Sequence, residues 1–525
     1  MKGQVITPFA RPLATNRKHT SRGRTSETLI GVFFGGNALV AIVVLLLITL
    51  FLFREGFGFF GGNLQNLRVY RAAGLEYVDI MREQADAHAA LSRALSQVRL
   101  REVRSFPANS RSVEEINAAL APFDRYANDF SEAGTELAGL VSDVGEQAVA
   151  LKEEMLLRSG ASESTKTEGA TDLAQTAEGQ TGGLETLRSS YPKYQQVCAT
   201  MAAVLMNLQA TAPRLSSGNA QEAFEKVNAR TREYVAGFPG QAQRLREWDS
   251  AKPVRWYHSI TSFLFDKRWI TASFWQDWYG IAPLLAGSIM VSFVALALAV
   301  PFGVASAVYV SEIATRPEQN LIKPYIEFIA AIPSVVLGFF GIAVVGQAIR
   351  AASELSFFRW IPFFPLSERL NVFTAGALLA LMAVPTIFTL SEDALRNVPR
   401  AFKEASYALG ANRLQTIGRV IVPASLSGIV SAVLLGLGRV IGETMVVLLC
   451  AGNRIAIPDF SEGLGAFFQP VHTMTGIIAQ EMGEVVRGSI HYRALFMVGL
   501  VLFALTLLIN LAAQKITKRY RMSIG

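Results

Sequence analysis

The sequence predicts an all-α polytopic membrane protein. It has six transmembrane helices and a helical bundle, inserted between the first and second, that lies on the extracytoplasmic side. Three observations predict this. Six long apolar runs are almost free of charge. The 525 residues are 51% hydrophobic and 17% charged, with mean hydropathy +0.31, too apolar for an ordinary soluble protein of this size. Between the first two runs, a long polar region repeats apolar residues at helical spacing.

The first run, 28–53, lies between Glu27 and Arg54 and is long enough to cross a bilayer. It is too long for a signal peptide and no small-x-small cleavage site follows it, so a retained helix is expected. Lys2, Arg11, Arg17, Lys18, Arg22 and Arg24 precede the first acid, Glu27, and Lys515, Lys518, Arg519 and Arg521 close the chain. Both ends are therefore expected in the cytoplasm. The formal net charge of +7 gathers at membrane boundaries, which points to lipid and not to nucleic acid as a partner. The expected order is a basic tail 1–27, a membrane helix 28–53, an insertion 54–277, a membrane domain 278–515 and a basic tail 516–525.

The polar region, 64–256, carries apolar residues three and four apart. They run through Leu75, Val78, Met81 and Ala85; Leu137, Leu140, Val144, Ala148 and Leu151; Tyr194, Val197, Met201, Val204 and Leu208; and Phe224, Val227, Tyr234 and Phe238. These are amphipathic helices, and an antiparallel bundle is their simplest packing. The Ser/Thr/Glu/Gly-rich stretch 159–184 reads as a flexible linker. No strand alternation stands out.

Further uncharged runs occupy 278–311, 328–349, 370–391 and 494–514, and a fifth apolar stretch, 426–451, is interrupted by Arg439 and Glu443. Six spans put both termini on one side, and place residues 393–425 in the cytoplasm between spans four and five. There Pro399 suits the first turn of a helix and Gly410 the left-handed residue past a helix end. A short helix over 399–409, a turn and a second helical run ending near Pro423 are expected. By residue type alone, a plain helix–turn–helix fits as well as a docking segment. Two cysteines and five histidines, without paired spacing, suggest neither a disulfide framework nor a metal site.

Arg439 and Glu443 are four apart, on one helix face, near the middle of the fifth apolar stretch. Charge at that depth is costly. Either the pair neutralises itself and fixes packing, or it lies on a solute path. An Arg fork matches a tetrahedral oxyanion. Glu443 would repel a fully ionised anion but accepts a hydrogen bond from one that keeps a proton, as phosphate does near neutral pH and sulfate does not. Thr444 adjoins the pair. Ser334, behind Pro333 at the start of the third span, is a further donor candidate, whereas Gly338 and Gly341 read as close-packing positions.

Glu404-Ala405-Ser406, Gly410 and Val420-Ile421-Val422-Pro423 resemble the cytoplasmic E-A-A-x-x-x-G motif of ABC-transporter permeases, which ends aliphatic-x-aliphatic-Pro. Ser406 stands for the second Ala, and Val420 and Val422 for Ile and Leu. The runs Ile332-Pro333-Ser334-Val335-Val336-x-Gly338-Phe339-Phe340, Gly438-Arg439-x-Ile441-Gly442-Glu443-Thr444-Met445 and Glu481-Met482-Gly483-Glu484, with His491-Tyr492-x-Ala494-Leu495-Phe496, resemble the phosphate-specific ABC transporter permease, C-type subunit. The resemblance covers the first span and residues from about 262 onward, and leaves out 64–256.

The resemblance implies a fold of ABC-importer permease type in the bacterial inner membrane, importing inorganic phosphate. Glu404, Ala405, Ser406, Gly410 and Pro423 would couple to the ATPase, and Arg439, Glu443, Thr444 and Ser334 would lie on the substrate path. It implies a second, A-type permease subunit, two ATP-binding cassette subunits and an extracytoplasmic phosphate-binding protein. The chain has no G-x-x-x-x-G-K-[ST] loop. It is expected to bind no cofactor and to be no enzyme, with ATP and Mg on the partner ATPase. Alternatives are a sulfate or molybdate permease and, less well matched, a receptor sensing through the bundle, for which the tails are too short to be output domains.

Overall fold

The computed structural model describes residues 21–106, 113–158, 181–271, 273, 275–358, 361, 363–366 and 368–520. The chain divides into two compact units, Met1–Glu55 and Gly56–Gly525. Helix α1, Ser21–Ala72, belongs to both by sequence. It runs on past Arg54, the expected end of the first span, because nothing from Gly56 to Arg71 breaks a helix outright. Gly74, at φ +77°, then turns the chain into the next helix.

The second unit opens with the bundle: α2 (Leu75–Ser105), α3 (Val113–Glu132), α4 (Thr135–Arg158), α5 (Thr181–Arg188), α6 (Tyr191–Ala210), α7 (Gly218–Ala236) and α8 (Phe238–Arg246). One apolar core joins Leu75, Val78 and Met81 with Leu137, Leu140, Val144 and Ala148, Tyr194, Val197 and Met201, and Phe224 and Val227. Phe123 and Phe130 of α3, a helix the apolar spacing did not single out, complete it. Val204 departs from expectation. It is 39% exposed, and Leu205 is buried instead, because the inward residues of α6 run 194, 198, 201, 205 in steps of four, three and four. Of the expected linker, 159–180 lie outside the described residues, and the last four residues open α5.

Three elements tie the bundle to the membrane domain: α9 (Tyr257–Phe265) and a two-stranded antiparallel ribbon, β1 (Trp269–Ile270) with β2 (Trp278–Tyr279). Asp79, on α2, is buried under the ribbon. It accepts from Tyr70 Oη at 2.6 Å, Arg268 Nη1 at 3.0 Å and Trp275 Nε1 at 3.2 Å. Arg268 also lies 3.6 Å over the Trp278 ring. On another edge, Arg230 of α7 reaches Ser461 Oγ at 2.7 Å and Asp459 at 3.2 Å.

The membrane domain holds α10 (Ala282–Val308, continued by a π turn to Ile313), α11 (Arg316–Ala331), α12 (Ser334–Ser353), α13 (Val372–Arg396), α14 (Arg400–Ala408), α15 (Arg413–Ile441), α16 (Met445–Cys450), α17 (Met474–Glu481) and α18 (Ile490–Tyr520). With α1, six helices among the described residues are long and apolar enough to cross a membrane: α1, α10, α12, α13, α15 and α18. The third starts later than its apolar run, since Ile332 and Pro333 are extended and cut α11 from α12. Spans α10, α13 and α15 meet closely: a Cβ on Gly303 or Gly436 would come within 2.9 or 2.8 Å of Ile387. Gly338 and Gly341 are close-packing positions, against Leu449 and against Leu378 and Cys450.

The segment 399–423 differs from expectation at its far end. Its second helical run does not stop at Pro423 but continues into the membrane as α15. A π turn at Ile417–Ile421 precedes the proline. Shifting the hydrogen-bond register there accommodates a residue that cannot donate to the preceding turn.

His88, in the bundle core, stacks on Phe130 with ring centroids 4.7 Å apart and planes 8° from parallel. Burial holds its pKa below the ordinary value, partly offset by the carbonyls of Phe130 and Ser131. A depressed histidine pKa means that the unfolded chain binds the proton better. The His88 contribution to bundle stability is therefore expected to fall as pH drops from about 6.5 toward the lower folded pKa, and to be constant well above about 6.5. Hydrogen exchange of α2 amides in the full-length protein, at pH 7.5 and 5.0, measures this. His88→Phe, which keeps the stack, should remove most of the difference.

Candidate functional site

Two regions stand at opposite ends of α10. At one, residues from four elements enclose a narrow crevice: Ser288, Val291 and Ser292 of α10, Leu379 of α13, Val440, Ile441, Glu443 and Val447 around the end of α15, and Thr473 and Thr475 at α17. It measures about 10 Å³, the room of roughly one water molecule. Four hydroxyls and one carboxylate share its lining with five aliphatic side chains, and it is closed to anything as large as a tetrahedral oxyanion.

The fifth apolar stretch explains how Glu443 comes to be there. Arg439 occupies the last turn of α15, which ends at Ile441. The chain is then non-helical through Glu443 before α16 begins at Met445. The expected shared helix face of Arg439 and Glu443, near the middle of a continuous span, is therefore not formed, and no ion pair joins them. The interruption follows from how its polar groups are met. The Glu443 carboxylate accepts from Met445 N–H, the first amide of the next helix, at 3.2 Å, and Thr475 Oγ1 donates to the Glu443 carbonyl at 2.9 Å. A break inside a membrane domain is tolerated where protein groups satisfy the freed backbone.

Arg439 is exposed and donates from Nη1 to Thr386 Oγ1 of α13 at 3.2 Å. It has no carboxylate partner among the described residues. Thr444 is half-buried, its hydroxyl 3.4 Å from the Gly442 carbonyl. Ser334 is half-buried at the first position of α12 and does not reach the crevice. Of the four candidates, only Glu443 lines it. Ser288, Ser292, Thr473 and Thr475 were not singled out by the sequence. Thr473, which accepts from Gly476 N–H as an N-cap, had a readable signal in Thr-x-x-Gly ahead of an apolar run. The serines, on a uniformly apolar helix, had none.

At the other end, α14 and the start of α15 form a hairpin. Gly410, at φ +83°, makes the turn, and Asn412 caps α15 by accepting from Gln415 N–H at 2.8 Å. Between the arms runs a groove of about 500 Å³ lined by Phe402, Ala405, Ser406, Leu409, Gln415 and Arg419, with Gly410 at its floor. Ala405, Ser406 and Gly410 are thus brought together. Glu404 is exposed beside them, without an intramolecular partner among the described residues, while Pro423 is exposed further along α15 and outside the groove. Leu409, at 88% exposure, projects from the tip.

With six helices long and apolar enough to cross a membrane, a small closed crevice among α10, α13, α15 and α17, and a grooved hairpin between the fourth and fifth spans, the chain is a multi-pass membrane protein. The family described as "binding-protein-dependent transport system inner membrane component" matches residues 299–522. The "probable ABC transporter permease protein YqgH" of Bacillus subtilis is 34% identical over 248 residues, 46% of this chain and 74% of its own. The "phosphate transport system permease protein PstC" of Pasteurella multocida is 30% identical over 272 residues, 50% of this chain and 82% of its own. The chain belongs to the family of binding-protein-dependent transport system inner membrane components, which are transport permeases and not enzymes. Among solved structures, the inward-facing MetNI methionine ABC transporter overlaps 46% of this chain and 94% of its own at TM-score 0.34 and 20% identity, too slight a likeness to add to this.

The hairpin's rigidity depends on its cap. Asn412→Ala removes the acceptor for Gln415 N–H and is expected to destabilise the start of α15 by about 1 kcal/mol. Faster hydrogen exchange over 413–417, with the membrane part of α15 unaffected, would register it.

Proposed function

We propose that the chain is the phosphate-conducting permease subunit of an ATP-driven importer in the inner membrane, with both termini and the 400–423 hairpin in the cytoplasm and the bundle outside. The observation that carries the substrate is the 30% identity, over 272 residues, with a relative named as a phosphate transport permease. The chemistry of the path agrees with it. The exposed guanidinium of Arg439, bonded to Thr386 but facing no carboxylate among the described residues, can meet an oxyanion, and the hydroxyls around Glu443 accept and donate as a partly protonated anion requires. Partners of this reading are a second, A-type permease, two ATP-binding cassette subunits holding ATP and Mg, and an extracytoplasmic phosphate-binding protein. The hairpin supplies the ATPase-facing surface, through Glu404, Ala405, Ser406 and Gly410. Arg439 contacts the anion. Glu443 gates the crevice, which must widen for cargo to pass. Ser334 and Thr444 line the path nearby.

Uptake of radiolabelled phosphate, in a strain lacking other phosphate importers, tests the substrate. Unlabelled phosphate should compete and sulfate or molybdate should not; competition by either of these in place of phosphate sinks the assignment. Arg439→Lys keeps the charge but loses the planar fork. It is expected to lower uptake at least about tenfold, the equivalent of ~1.4 kcal/mol, in a protein that still assembles. Normal uptake by that variant would remove Arg439 from the path.

The docking reading has its own test. The Glu404 side chain makes no bond among the described residues, so Glu404→Lys should leave folding and insertion untouched. It is expected to reduce co-purification of the ATPase subunits several-fold, through a reversed charge at the contact. Unchanged co-purification and unchanged hydrolysis would take the hairpin's outer face out of the mechanism.

A further inference from the structure

We propose that Lys403 and Glu312 form the link through which the docking hairpin moves the second span, α10. The proposal rests on the reading of the hairpin as the ATPase-facing segment and assigns its opposite face. Helix α14 is two-sided. Glu404, Ala405, Tyr407 and Leu409 are exposed, whereas Lys403 and Ser406, three apart and on one face, turn inward. Lys403 Nζ lies 2.7 and 2.9 Å from the two carboxylate oxygens of Glu312, in the π turn that ends α10. The two side chains are only 25% and 9% exposed.

Two further contacts make the link a clamp. Arg413, on the other arm, donates to the carbonyls of Glu312 and Ile313, which the end of α10 leaves without helical partners. The hydroxyls of Ser406 and Thr416, both buried, lie 2.9 Å apart and brace the arms against each other. The hairpin is therefore one body. It is held to a helix from which Lys403 is separated by 91 residues of chain.

The reach of this link is what gives it a role. Ser288, Val291 and Ser292, which line the crevice, belong to the same helix as Glu312. Ser292 and Glu312 are twenty residues apart, roughly 30 Å along a helix axis, with Pro301 between them. Through the chain alone, a push on the hairpin reaches spans α13 and α15, which flank it. Through Lys403–Glu312 it reaches α10 as well, the wall of the crevice facing Glu443. A shielded, doubly bonded ion pair is short and stiff enough to carry a displacement, where an exposed one would be exchanged for water. Lys403 and Glu312 touch neither cargo nor nucleotide, and are positioning residues.

The intact complex in proteoliposomes gives the test, with phosphate uptake, ATP hydrolysis and ATPase co-purification read together. Lys403→Met and Glu312→Gln are expected to keep co-purification and most of the hydrolysis, and to lower phosphate moved per ATP by about tenfold. Lys403→Arg should stay near the parent. The exchanged pair, Glu312→Lys with Lys403→Glu, should return to within about threefold of it. A merely structural contact would change the amount of complex but not the ratio of phosphate to ATP. An unchanged ratio in both single variants overturns the proposal. So does an exchanged pair that assembles but transports no better than the single variants. Should a single variant fail to insert, the exchanged pair and Lys403→Arg decide by the same ratio. Loss of co-purification in Lys403→Met would place Lys403 in the docking surface and also overturn it. The docking reading itself stands or falls separately, with Glu404→Lys.

Discussion

Lipid offers no hydrogen bonds, and this one constraint shapes most of the chain. A span must satisfy its own backbone, and a span that stops must hand its backbone groups to protein. The end of α15 shows the second case. Three residues leave the helix at Gly442, and each consequence is visible: the Glu443 carboxylate accepts from the first amide of α16, Thr475 covers the Glu443 carbonyl, and the crevice opens at the break. The π turn at Ile417–Ile421 is a milder solution to the same problem, shifting register without stopping α15, while the one at Tyr309–Ile313 shifts it just before α10 ends. Both lie beside the hairpin, where the chain leaves the apolar layer and needs an altered direction.

Outside the lipid the balance changes. The bundle is stabilised by apolar burial, and several of its buried polar groups are gathered into small networks. Gln84 anchors one of them. It takes a hydrogen bond from Tyr194, offers one toward the Cys198 sulfur at 3.5 Å, and its carbonyl accepts from Tyr234 at 2.9 Å. Asp79 does the same at the base, gathering an Arg, a Tyr and a Trp from segments up to 196 residues away. A buried carboxylate with three donors fixes the ribbon on α2 more specifically than apolar contact would. The bundle and the membrane domain thus share a joint of defined geometry instead of a loose tether.

Much of this was legible in the sequence. The six spans follow from runs such as 370–391, where lipid and core demand the same residue types, and the bundle helices follow from three-four spacing that burial enforces. What the sequence hid was local. Val204 and Leu205 are both apolar, so spacing alone chose the wrong one of two neighbours. Residues 426–451 look like one span because periodicity counts apolar side chains and is blind to a partner such as Thr475, which meets the Glu443 carbonyl from 32 residues away. For the same reason Arg439 and Glu443 looked like an i, i+4 pair. Gly410 was readable, since left-handed backbone restricts the residue that can occupy it. Glu312, Lys403 and the lining serines of α10 were not, because their meaning lies in tertiary proximity.

The two cysteines have a practical side. Cys198 is buried in the bundle, its thiol pushed above its ordinary pKa by burial, and Cys450 is buried with its sulfur 3.3 Å from the Gly338 carbonyl. Alkylating reagents attack thiolates that they can reach. Neither side chain offers one, so the folded chain is chemically silent to maleimides from either side of the membrane. A single cysteine introduced at any exposed position becomes its lone reactive handle. Fluorophores or spin labels can then be placed on the bundle, the ribbon or the hairpin without first stripping out Gln84's sulfur neighbour or the atom that fills the space beside Gly341.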